Sequence, residues 1–259
     1  MPGIITLLTD FGLADGYVAA MKGVILGLNP QAVIVDVTHE VPPQDVGYAA
    51  YVLATVFAHF PPGTVHVAVV DPGVGSARAG VAVQGAEQYS VAPDNGVLSH
   101  VIAAGHATAV RLSEPRFWRP EPSRTFHGRD IFAPVAAHLS LGVPLAALGE
   151  PLADLVRLPR SEPERRPDGA WVVHVIHVDR FGNLITDLRP DPAWLDRLAG
   201  AQVGSFVINA VAGTYADVPS RSPAILTGSG GYLEIAVRDG SAAAEFQAGV
   251  GDQVLLFPL

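Results

Sequence analysis

At 259 residues, and about 150 residues per domain, the chain holds one large domain or two modest ones. Its residues are 49% hydrophobic with a mean hydropathy of +0.32, so a packed core is expected despite 27 glycines and 22 prolines. The net charge of −9 makes nucleic acid a poor partner, and the lack of cysteine excludes disulfide scaffolds, thiol nucleophiles and iron–sulfur clusters. Lys22 is the only lysine, and its helical setting disfavours Schiff-base or P-loop chemistry. No apolar stretch is long enough to span a membrane, and the first residues lack a basic n-region, so a cytoplasmic location is expected.

Along the chain, Ile4 to Leu8 reads as a buried strand that stops at Thr9-Asp10-Phe11-Gly12. Tyr17, Ala20, Met21, Val24, Ile25 and Leu28 follow helical spacing until Asn29-Pro30 ends it. Val33 to Val37 is a second strand, Asp45 to Ala58 a second helix, and Val65 to Val70 a third strand ending at Asp71-Pro72-Gly73. Gly80 to Val83 and Tyr89 to Val91 read as strands, Val97 to Ala104 as a short helix and Arg129 to Leu141 as a longer one. This alternation of apolar strands and helices predicts a layered α/β domain with a mainly parallel sheet. Residues 158–169, with prolines and charges and little to bury, read as a linker between domains at 1–157 and 170–259. The last stretch, with short strands at Trp171 to Val178, Ser205 to Asn209, Ala224 to Thr227, Tyr232 to Val237 and Val254 to Phe257, predicts a small all-β barrel or sandwich.

Chemistry concentrates where apolar strands stop. In open α/β sheets the ligand crevice lies beyond the carboxyl ends of the strands, which points Asp10 and Asp71 at one cleft; taken singly, each serves equally as a helix cap or turn brace. Asp71 opens a glycine-bearing loop that reaches Arg78, a residue able to fold back on it. His127 precedes a helix, whose positive end favours a neutral imidazole, although alone it reads as a structural histidine. Asp179, Phe181 and Asn183 place a carboxylate, an aromatic and an amide on one turn, suited to a flat heterocycle or to ordinary turn bracing. The histidines are scattered without metal-ligand spacing, so no metal site is expected.

Leu8-Thr9-Asp10-Phe11-Gly12, Asp36-Val37-Thr38-His39, Val70 to Gly75, Phe126-His127-Gly128-Arg129-Asp130, Asp179 to Asn183 and Gly228 to Ala236 together resemble the S-adenosylmethionine (SAM) hydroxide adenosyltransferases. The motifs run in that family's order over nearly the whole chain. The resemblance implies an α/β catalytic domain, a C-terminal β-barrel that binds substrate, and a homotrimer with sites shared between subunits. It implies hydrolysis of SAM to adenosine and L-methionine without cofactor or metal. Asp71, Arg78 and His127 fall on the water-activating set, and Asp10 on the ribose hydroxyls. Asn183, Phe181 and the Val237 backbone fall on adenine; Asp179, Ser229 and Glu234 fall on the methionine end.

Two other readings stand beside it. Fluorinating relatives carry tyrosine, threonine and serine where Asp71, Val74 and Gly128 stand, tryptophan where Gln44 stands, and an extra loop near Gly80 to Gln88. A carboxylate at that place repels halide, so a halogenase is disfavoured. A non-catalytic adenosine or SAM binding module need not keep Asp71, Arg78 and His127 together.

Overall fold

In the computed structural model, residues 3–103 and 107–259 are described, and the chain divides into two compact units, Met1–Leu158 and Pro159–Leu259. Ala104, the expected end of the short helix, and His106 lie outside the described residues.

The first unit is built on a six-stranded sheet. Its strands are β1 (Ile4–Thr9), β2 (Val33–Thr38), β3 (Val65–Val69), β4 (Gly80–Gly85), β5 (Gln88–Pro93) and β6 (Thr108–Arg111), in the order β2-β1-β3-β5-β4-β6. Helices α1 (Tyr17–Leu28), α2 (Val46–Phe57), α3 (Ser99–Ile102) and α4 (Ala133–Ser140) complete its layers. β1 and β3 are buried on both faces. Ile5, Leu7, Val65, Val67 and Val69 share one core with α1 and α4; Leu8, Ala68 and Val70 share another with α2. Two-sided burial explains why these strands read as continuous apolar runs rather than as alternating ones.

The sheet meets the expectation of parallel strands in part. β2, β1, β3 and β5 are parallel, but β4 pairs antiparallel with β5 and with β6, so the sheet is mixed. The β4–β5 hairpin turns on Ala86 and Glu87 alone, both at positive φ (48° and 62°), the geometry of a tight two-residue hairpin turn. The expected helix from Arg129 to Leu141 is also two pieces. Gly128–Phe132 is π-helical, with the Ala133 N–H donating to the Gly128 carbonyl, and α4 follows.

β1 leads to β2 on one side and is flanked by β3 on the other, which makes the β1/β3 boundary the switch point of the sheet. Asp10 follows β1 and Asp71 follows β3, so both stand at the mouth of that crevice.

In the second unit, β7 (Glu164–Arg165) pairs with β8 (Trp171–Val178), so part of the predicted linker is strand. β9 (Leu184–Thr186), β10 (Leu198–Val203), β11 (Phe206–Ile208), β12 (Pro223–Thr227), β13 (Leu233–Val237) and β14 (Gln253–Pro258) complete an antiparallel sheet ordered β11-β10-β14-β8-β9-β13-β12. Val211, after β11, bridges to Ile225 of β12, so the two edges nearly close on one another as in a barrel. Its interior is Val173, Val175, Leu184, Ile225, Leu233, Ile235, Val254 and neighbours. Among the described residues no helix is long and apolar enough to cross a membrane.

Candidate active site

The chain reverses sharply after β3. Gly75 adopts φ +78°, and a Cβ there would stand 2.6 Å from the Arg124 carbonyl oxygen, so only glycine lets the two loops meet. This reversal returns Arg78 to Asp71. Arg78 Nε donates to Asp71 Oδ1 at 2.9 Å, and Arg78 Nη2 donates to Asp71 Oδ2, closing a two-pronged fork. Both side chains are well shielded, 5% exposed for Asp71 and 11% for Arg78. Arg78 Nη2 also lies 2.8 Å from His127 Nδ1.

That last distance fixes a tautomer. A guanidinium can only donate, so His127 Nδ1 is the acceptor and a neutral ring carries its proton on Nε2. Burial, and then the Arg78 charge, push the His127 pKa below its usual value, against weaker pulls from Asp71 and Asp130. The neutral imidazole expected from sequence is therefore favoured, but its lone pair is committed to Arg78. Asp71 keeps unshared carboxylate lone pairs and is the base this arrangement offers.

A cleft of about 380 Å³ opens beside this cluster, lined by Asp10, Tyr17, Gln44, Val74, Phe126 and Gly128 among others. Asp10 is aimed by the Gln44 N–H, which donates to its Oδ2 at 2.8 Å. Phe11, Tyr17 and Phe126 form an aromatic trio with centroids 5.3–5.8 Å apart, Phe126 meeting the other two edge-on. Position 128 has no room to spare: a Cβ would meet Met21 Sδ at 3.3 Å and Val69 Cγ1 at 3.4 Å. The carboxylate of Asp71 and the tight wall at Gly128 both oppose a halide pocket here.

The segment carrying His127 has its own anchor, which sequence reasoning quoted as motif but gave no role. The Asp130 carboxylate, 2% exposed, accepts from Arg119 Nη1 (3.0 Å), Arg129 Nε and Nη2 (both 2.7 Å) and the Ser123 N–H (2.9 Å). Burial opposes its ionisation, but the Arg129 bonds and the Ser123 N–H outweigh it and lower its pKa.

The second unit holds the remaining predicted residues. Asp179 Oδ1 accepts from the Phe181 and Asn183 N–H groups at 2.9 and 2.8 Å, and its Oδ2 accepts from Asn183 Nδ2 at 2.9 Å. Asp179 thus braces the turn. Phe181, at the tip of that turn, is 75% exposed. Ser229 sits exposed on the turn between β12 and β13, and Val237 ends β13, its carbonyl accepting from the Gly240 N–H. Glu234 is buried in mid-strand and accepts from the Tyr215 hydroxyl at 2.9 Å. Burial first, and then Asp179, raise the Glu234 pKa against the pull of that bond. Gly228 makes room for it, since a Cβ there would overlap the carboxylate. Among the described residues no group of three or more His, Asp or Glu side chains could hold a metal ion.

The sequence profile of the SAM hydroxide adenosyltransferase N-terminal domain matches residues 5–149, and that of the C-terminal domain matches residues 173–255. The chain belongs to this family. It is 43% identical to an (R)-S-adenosyl-L-methionine hydrolase of Salinispora arenicola, over 96% of each chain. It is 42% identical to a protein of that name from Thermus thermophilus, over 91% of this chain and 92% of the other. A fluorinase of Nocardia brasiliensis is more distant, 32% identical over 71% of each. An uncharacterised conserved protein of Thermotoga maritima, solved by crystallography, superposes with a TM-score of 0.90 at 38% identity, covering 97% of this chain and 99% of that one.

The raised Glu234 pKa gives a stability prediction. A carboxyl whose folded pKa lies above its unfolded one destabilises the fold once pH rises above the unfolded value. Glu234→Gln is expected to raise the thermal midpoint relative to the parent, and by more at pH 7 than at pH 4. Calorimetry at both pH values checks this; a variant less stable at pH 7 contradicts it.

Proposed function

We propose that the protein hydrolyses S-adenosyl-L-methionine to adenosine and L-methionine, with water attacking the ribose 5′ carbon. The observation that carries this reading is the Arg78 guanidinium bonded at once to Asp71 and to His127 Nδ1 beside an open cleft. The sulfonium makes methionine a neutral thioether leaving group, so no general acid is needed. The missing ingredient is a nucleophile, because water has a pKa of about 15.7. Asp71 takes the water proton as the oxygen closes on C5′; the C5′–S bond breaks and its electron pair goes to sulfur. A positioned base of this kind contributes about 10²–10⁴-fold. Arg78 cannot act as a base; it holds the Asp71 carboxylate in place and stabilises developing hydroxide, while His127 offers Nε2–H to orient the water.

Asp10 receives the ribose hydroxyls. Asn183, Phe181 and the Val237 backbone receive adenine, and Asp179, Ser229 and Glu234 the methionine end. Burial and then Asp179 raise the Glu234 pKa, and an α-ammonium set near both carboxyls offsets the share that comes from Asp179. The α/β unit is the catalytic domain and the β unit the substrate-binding domain. The enzyme is a cytoplasmic homotrimer in which one subunit's first unit and its neighbour's second unit complete each site, and it needs no cofactor or metal. Sedimentation of an active monomer would contradict the trimer.

Incubation with SAM in excess chelator is expected to yield adenosine and L-methionine in equal amounts, with or without chloride and fluoride. A 5′-halogenated nucleoside in place of adenosine overturns the reading. Asp71→Asn is expected to lower kcat at least about 10²-fold and leave adenosine affinity within about twofold. Asp10→Ala is expected to weaken adenosine about tenfold or more, the size of one or two unmet buried hydrogen bonds. Because His127 acts as the neutral ring and its pKa is lowered, the acid limb of kcat/KM is expected below pH about 6.5. Titration of adenosine into both variants, beside turnover assays, separates binding from chemistry.

A further inference from the structure

The motif Asp36-Val37-Thr38-His39 has no part in the chemistry above, yet it lies against the loop that does. The β1–β2 register shifts between Leu7 and Leu8, pairing Leu8 with Thr38, so that His39 follows on beside Thr9. His39 is 4% exposed, and its ring spans two partners. Nδ1 lies 2.9 Å from Thr9 Oγ1, and Thr9 Oγ1 accepts from the Phe11 N–H at 3.2 Å. Because Oγ1 accepts that backbone proton, its own hydroxyl proton is available to His39 Nδ1. On the other side of the ring, His39 Nε2 stands 3.0 Å from Asp36 Oδ1, facing the carboxylate though not aligned as a hydrogen bond. Asp36 Oδ2 accepts from Lys22 Nζ at 2.6 Å. The His39 carbonyl accepts from the Gly12 N–H at 2.8 Å, where Gly12 turns at φ +62°.

His39 therefore grips the Thr9–Gly12 loop at both ends, through its side chain at Thr9 and through its backbone at Gly12. Asp10 and Phe11, the two residues between, line the cleft. We infer that His39, steadied by the Lys22–Asp36 pair, is the positioning residue for Asp10 and sets nucleoside affinity without taking part in the chemical step. This rests on the reading of Asp10 as the ribose ligand. A loop held at both ends presents Asp10 already in its binding orientation; a released loop must be ordered by the ligand, at a cost in affinity. The Arg78 cluster hangs from β3 and the 119–127 loop instead, so kcat is insulated from His39.

His39→Leu, His39→Asn, Asp10→Ala and the Asp10→Ala/His39→Leu double variant test this, by calorimetric titration of adenosine and SAM turnover on each folded protein. His39→Leu is expected to weaken adenosine and raise KM about tenfold, with kcat within about threefold of the parent. His39→Asn, whose side chain can still reach Thr9, is expected to recover most of that loss. If His39 acts through Asp10, the double variant binds adenosine no more weakly than Asp10→Ala. Equal loss in kcat and affinity, no rescue by asparagine, or additive losses in the double variant overturn the inference. Should His39→Leu fail to fold, Asp36→Asn replaces it in the same cycle, with a smaller affinity loss expected and an unchanged affinity counting against the inference. A parent protein that neither binds adenosine nor turns over SAM defeats the functional reading itself, whatever the variants do.

Discussion

Everything distinctive about this molecule's cleft depends on the reach of one guanidinium. Arg78 presents a planar set of donors, and the structure spends them on groups from two different segments: the Asp71 carboxylate just beyond β3 and the His127 ring on the loop before α4. A lysine could not do the same, because an ammonium has no fixed fork with which to hold a carboxylate face-on and still address a ring nitrogen. The constraint propagates outward. Arg78 can return to Asp71 only if the chain reverses within seven residues, and that reversal runs through the left-handed turn at Gly75, packed on the Arg124 carbonyl. His127 can meet Arg78 only if its loop is fixed, and the buried Asp130 with four donors around it supplies that fixation.

The sheet explains why these groups converge. The central strands β1 and β3, buried on both faces, leave no side of the sheet there for polar chemistry, so it gathers at the strand ends. β1 and β3 are neighbours in register, Thr9 opposite Val69, and the residues that follow them emerge together at one edge. The same neighbourhood brings the end of β2 against the end of β1, so that the loop bearing Asp10 is tied down by elements from both sides. The Asp71 and Asp10 carboxylates thus line one cleft but depend on different supports.

Much of this was legible in the residues, and the exceptions have physical causes. β1 and β3 are visible because two-sided burial writes a mostly apolar run, and α2 because Asp45 caps it, accepting from the Tyr48 N–H. β6, β9 and β10 left no clear trace, since three to six residues beside glycines or polar neighbours carry no period that separates strand from loop. The antiparallel pairing of β4 could not be read either, because Ala86 and Glu87 make its turn without the glycine or asparagine that usually marks one. At the cleft, type and order single out Asp10, Asp71, Arg78 and His127, but not the lone-pair bookkeeping: that His127 Nδ1 faces a donor is a fact of geometry. His39 and Asp130 were present in quoted motifs and went unassigned because their partners lie 30 residues away and on a loop respectively.

The proposed division of labour, in which Asp71 takes a proton and Arg78 holds it ready, has one consequence that no binding property shares: the attacking oxygen comes from solvent and ends on C5′. Turnover of SAM in ¹⁸O-labelled water, followed by mass spectrometry of both products, measures this directly. One ¹⁸O in the 5′-hydroxyl of adenosine, and none in methionine, is the result predicted. Unlabelled adenosine, or label appearing on the amino-acid product, would contradict attack by an Asp71-activated water at that carbon.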